Sequence, residues 1–237
     1  MSTQGASKDQ LVATIAKLHE SGAYSDLKIV CGSETYNVHK AIICPQSTFF
    51  KAACRPNAFQ EGRTGVIEIP ATAGRNVAFC QKPIIVENFD WDLDVETTTA
   101  VKLMIHYFYH HDFFEDRREY SSTTLNLCST ENLTQGTLAE HARMYAMGEK
   151  YGVPGLKALA VAKFLAVIPR TNAGLTAAIM IAYSTTPESD QGLRNAMIES
   201  LYCYRKAFVE VDEIQTVISK LPDLSYGLYR KMLKEED

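Results

Sequence analysis

Leu11, Ile15 and Leu18 recur at steps of four and three along "SKDQLVATIAKLHESGAYSD", which predicts an amphipathic helix over about residues 7–20. Ser7 or Asp9 would cap it and Gly22 would end it. The period then drops to two. In "DLKIVCG" Leu27, Ile29 and Cys31 alternate with Lys28 and Val30, and in "ETYNVHK" Tyr36 and Val38 share a face. Gly32-Ser33 sits between the two runs, so they read as a hairpin. Pro45 disfavours helix at Cys44 and divides the next apolar stretch into a short helix from His39 to Ile43 and a second from Gln46 to Ala53. "GVIEIP" alternates again over residues 66–69 and stops at Pro70, a third strand.

Helical spacing returns after Asp94, read as a cap, with Val101, Met104, Ile105 and Phe108 as one stripe. Further helices are expected on the stripe Leu138, Ala142, Tyr145 and Ala146, and on Leu156, Leu159, Ala160 and Val167 up to Pro169. Four more are expected at 172–183, 190–204, 208–220 and 223–234. Ala71 to Trp91 follows no single period, although Ile84-Ile85-Val86 is strand-like and, with Phe89 and Trp91, reads as a partner-binding edge or a cover for the sheet. Arg117 to Gly136 is polar, rich in Ser and Thr, and predicts a long mobile loop. Mixed strand and helix followed by helix alone predicts an α+β module with an all-helical C-terminal extension, divided near Pro169-Arg170.

Composition narrows the function classes. The 237 residues are 46% apolar and 22% charged, which is ordinary globular material. A net charge of −4 lacks the basic footprint that nucleic acid or an anionic membrane surface requires, so neither is an expected partner. Met1 to Gln10 is too polar for a signal peptide, and Ala173 to Tyr183 falls short of the roughly 20 residues of a membrane span. The expectation is a soluble intracellular protein, cytoplasmic or nuclear. Its six cysteines form no C-x-x-C pair and read as buried thiols rather than disulfides or zinc ligands. No Walker loop, G-x-G-x-x-G or H-E-x-x-H occurs, so no cofactor is expected and nothing specifies an enzyme.

Five segments, "YSDLKIVCG" (24–32), "YNVHKAIICPQSTFF" (36–50), "GVIEIP" (65–70), "TTTAVKLMIHYFYHHDF" (97–113) and "YAMGEKYGVPGLKALAVAKF" (145–164), together resemble the BTB/POZ family, in particular its fungal-type members. "TTPESDQGLRNAMIE" (185–199) resembles the helical extension of those members. The resemblance implies an N-terminal helix at 1–22, a BTB/POZ domain at 23–169 and a helical extension at 170–237. Relative to the family, the links at 71–91 and 117–136 are longer, which costs little thermodynamically. The function it implies is protein–protein interaction: a self-associating adaptor, extending to substrate adaptors of a cullin-3-type RING ubiquitin ligase. The alternatives are an oligomerisation scaffold in transcription or complex assembly without cullin binding and, from the residues alone, a metal-dependent enzyme using the His106/His110 cluster. No zinc-finger, Kelch or MATH-like segment accompanies the module.

Candidate residues follow from both sources. Asp26 near His39 would make a proton relay if this were an enzyme. The competing reading ties the hairpin to the first helix, and the resemblance places Asp26, His39 and Lys40 as structural residues near a dimer interface. Ser47 lacks a nucleophile elbow and reads as a turn or cap. His106 and His110, four apart on a helix, with His111, Asp112 and Glu115 nearby, are the one metal-like cluster; a helix end favouring His at its C-terminal dipole is the competing reading. Phe59-Gln60-Glu61 matches the place where cullin-binding family members carry an apolar residue, any residue and Glu. Phe59 would fill a pocket and Glu61 would add a polar rim; otherwise Phe59 packs into the core. The helix at 7–20 would either exchange across a homodimer or pack on its own chain.

Overall fold

The computed structural model describes residues 3–56, 59–71, 92–114 and 136–235, with side chains described from residue 10 onward. These residues form two compact units. The first comprises the described residues up to 71 together with 96–114 and 147–156; the second comprises 92–95, 136–146 and 157–235. The strand-like 84–86 run, Phe89, Trp91 and nearly all of the 117–136 loop lie outside the described residues.

The first unit opens with α1 (Thr3–Ser21), which begins earlier than Ser7 or Asp9. It ends where predicted, at Gly22, whose φ of 60° suits the left-handed region and whose N–H reaches the Leu18 carbonyl at 3.0 Å. β1 (Leu27–Cys31) and β2 (Glu34–Val38) form the expected antiparallel hairpin, with Cys31 opposite Glu34. Leu27, Ile29 and Cys31 are buried on one face, as the period of two requires. β3 (Val66–Ile69) pairs parallel to β1 and gives the order β2-β1-β3. A parallel neighbour needs a crossover. Here it runs through α2 (Lys40–Ile43), α3 (Thr48–Ala53) and α4 (Gln60–Thr64).

Three sequence expectations shift. His39 caps α2 rather than starting it. α3 starts at Thr48, because the Ser47 Oγ accepts the Phe50 N–H at 3.1 Å and donates to the Tyr151 carbonyl at 2.6 Å. Asp94 does not cap α5 (Thr98–His110); Thr97 does, its Oγ1 accepting from Ala100 N at 3.1 Å. The expected stripe Val101, Met104, Ile105 and Phe108 is buried. The α5 helix ends at His111, a non-glycine with φ 53° whose N–H bonds the Tyr107 carbonyl at 2.8 Å.

The second unit is helical apart from its links. α6 (Leu138–Lys150) and α7 (Pro154–Val167) supply residues 138–146 and 157–167 to it and the remainder to the first unit. α8 (Leu175–Thr185) is mostly apolar and buries Leu175, Ala178, Ile179, Met180, Ile181 and Ala182, as a central helix does. α9 (Gly192–Cys203) and α11 (Asp212–Lys220) pack against α8, and α12 (Pro222–Glu235) packs against α9. The segment read as one helix at 208–220 divides, because α10 (Arg205–Phe208) and α11 are separate elements. Pro169-Arg170 lies in the link between α7 and α8.

Of the cysteines that the structure describes, Cys31 is buried and Cys44 and Cys54 are half-buried. Cys203 is exposed, against expectation, on the solvent side of α9. Among the described residues no helix is long and apolar enough to cross a membrane.

Candidate partner-binding site

The Phe59–Glu61 triplet stands at the start of α4. Phe59 takes an extended conformation, φ −136° and ψ 165°, as the cap residue, and its side chain is 56% exposed. It is therefore not part of the core. Glu61 is half-buried in the first turn. Two glycines set this segment. A Cβ on Gly62 would lie 2.3 Å from the Arg55 carbonyl oxygen, so only glycine lets α4 pack this closely on the end of α3. Gly65 ends α4 with φ 67° and sends its carbonyl to Lys28 N at 2.9 Å, which aligns β3 on β1.

Asp26, His39 and Lys40 meet where the hairpin joins α2. The Asp26 Oδ1 accepts the Lys40 backbone N–H at 2.8 Å and forms no ion pair with the Lys40 ammonium among the described residues. His39 is buried. Its Nε2 lies 2.7 Å from the Ala23 carbonyl, which places the ring proton on Nε2. Nδ1 then accepts from the Tyr109 hydroxyl at 2.7 Å, and the same Tyr109 oxygen accepts the His39 N–H at 2.9 Å. Burial pushes the Tyr109 hydroxyl up to about 12, so it stays protonated and can donate. Asp26 and His39 have different partners, so no proton relay is assembled. Burial, with Cys54 beside it, pushes the neighbouring Cys44 thiol up to about 12, so it stays protonated near neutral pH.

His106 and His110 do share a face. Their rings stack with centroids 4.0 Å apart, and His106 Nδ1 meets the Asp112 carbonyl at 2.8 Å. His19 of α1 joins them, its Nδ1 3.3 Å from His110 Nε2 and its ring stacked on Tyr109 at 4.6 Å. His111 turns away as the helix cap, and Glu115 lies outside the described residues. Among the described residues no group of three or more His, Cys, Asp or Glu side chains is arranged to hold a metal ion. The cluster instead joins α1 to α5.

The first unit also holds a buried acid that no spacing in the sequence marks. Glu96 is 5% exposed, accepts from the Tyr151 hydroxyl and pairs with the Lys150 ammonium at 2.5 Å. In the second unit, Asp190 plays a similar part, accepting from Tyr145 at 2.5 Å and pairing with Lys157 at 2.9 Å.

The family model for the BTB/POZ domain matches residues 15–77, from the second half of α1 to just past β3. No curated protein matches the chain.

Proposed function

We propose, from the BTB/POZ domain that this chain carries over its matched residues, that the protein is an adaptor. A BTB/POZ domain is a protein–protein interaction module. We take residues 23–169 as its extent and 170–237 as a helical extension. The adaptor positions partners and performs no bond chemistry. Its partner in this reading is a cullin-3-type RING ligase scaffold, docked through Phe59 and Glu61, with Asp26, His39 and Lys40 holding the hairpin and α2 in place. The observation that carries the reading is the exposure of the Phe59 ring beside Glu61. Calorimetry against the N-terminal domain of a cullin-3-type scaffold tests it. Binding by the parent should weaken about 30-fold or more in Phe59→Ala and less in Glu61→Ala, as for an anchor and its rim. Absence of binding by the parent would remove the scaffold as a direct partner.

A second reading is favoured by α1. Leu11 and Val12 are 61% and 52% exposed, so the outer part of the helix leaves apolar surface uncovered on its own chain. A second copy covering it would make the protein a self-associating scaffold without a cullin. Light scattering on Leu11→Ser with Val12→Ser checks this: a change from dimer to monomer supports the scaffold, and an unchanged mass rejects α1 as the dimer element.

A further inference from the structure

We infer that the groove between α9 and α12 in the second unit is a binding site for an oxyanion, a carboxylate or phosphate group received by Arg194. The inference stands apart from the adaptor reading. Arg194 lines a groove of about 660 Å³ yet is only 4% exposed. Its guanidinium is incompletely satisfied. Nη2 donates to the Thr186 carbonyl at 2.8 Å, Nε is buried without a hydrogen-bond partner, and nothing among the described residues accepts from Nη1. The charge lies over the Tyr183 ring at 4.6 Å and has no carboxylate partner among the described residues. A buried guanidinium normally has a counter-ion, because an uncompensated buried charge is costly.

The opposite wall supplies more positive charge. Arg230 and Lys234 are exposed on α12 and carry no ion pair among the described residues. Lys231 is already committed, bridging Glu199 and Glu235 at 2.8 Å each. The acids facing the groove are Glu199, Glu188 and Asp223; none is paired with Arg194. Ile198 and Tyr226 add apolar surface beside this charge. A planar guanidinium fork with an open donor, rimmed by two cations, matches a carboxylate or phosphate better than a neutral ligand.

The full chain is titrated with inorganic phosphate and, separately, with succinate at constant ionic strength, following the Arg194 Nε–Hε signal by NMR and the rise in Tm. Saturable shifts of that signal are expected. A stronger response to phosphate identifies a phosphorylated group as the natural ligand, and a stronger response to succinate an acidic one. Arg194→Gln should abolish the Tm rise. If that variant does not fold, Arg230→Ala with Lys234→Ala, both at exposed positions, should weaken binding at least fivefold. Non-saturating shifts that follow ionic strength, or undiminished binding in the α12 double variant, would overturn the site.

Discussion

Tyr109 shows how much one hydroxyl can hold. It satisfies both the backbone N–H and the ring Nδ1 of His39, seventy positions earlier in the chain. Tyr109→Phe keeps the ring stacked on His19 but leaves two buried polar groups unpaired. Destabilisation of about 2–3 kcal/mol is expected, measured by urea unfolding, at the upper end of the cost of an orphaned group. Glu96 is a second such residue. Glu96→Ala would remove the acceptor of the buried Tyr151 hydroxyl and should cost about 2 kcal/mol. Recovery of stability on adding Tyr151→Phe would show that the loss comes from the orphaned hydroxyl; no recovery would refute that account. None of these partners was legible from the sequence, because hydrogen bonds between remote positions leave no period or spacing to read. His39 and Ser47 were legible as residues that mattered locally, and their partners were not.

The elements themselves were read more successfully, and most of the errors lie at their ends. The two-residue alternation in β1, β2 and β3 and the stripes of α5 and α6 are local consequences of which face is buried. Element starts depended on particular side chains, such as Thr97 in place of Asp94. α4 was missed because it is one short turn whose close packing rests on Gly62. The turn after α6 depends on glycine in the same way. Gly152 has φ 60°, and a Cβ there would lie 1.9 Å from the Thr48 Oγ1. Gly152→Ala should therefore cost more than the roughly 1–2 kcal/mol of left-handed backbone alone. Adding Thr48→Ala should recover the steric part and leave the backbone part, as a thermal-unfolding cycle would report. Full recovery would show that the backbone strain is absent.

At the scale of the whole molecule, the second unit carries an acid-sensitive tie. Burial alone would raise the Asp190 carboxyl, but hydrogen bonds from Tyr145 and Lys157 outweigh it and hold the group below its ordinary value of 3.8. A carboxyl lowered on folding stabilises fully above its unfolded value and loses that contribution as pH falls through the folded one. Parent protein should therefore lose stability below about pH 4 more steeply than Asp190→Asn, read as urea midpoints across that range; equal slopes would refute the tie. The larger architecture divides along the same line as the smaller parts. Hydrophobic period, turn residues and composition by themselves determined an α+β module, its hairpin and third strand, and the helices that follow, because burial of one face imposes a period on neighbouring residues. They also carried the resemblance to BTB/POZ domains that the match over residues 15–77 supports. Only the tertiary structure decided that β3 lies parallel beside β1, that Phe59 stands outside the core, that His19 meets His110, and that Arg194 is buried with no carboxylate partner among the described residues. Each of these joins or separates residues far apart in the chain, and that proximity is set by packing, which no local pattern encodes.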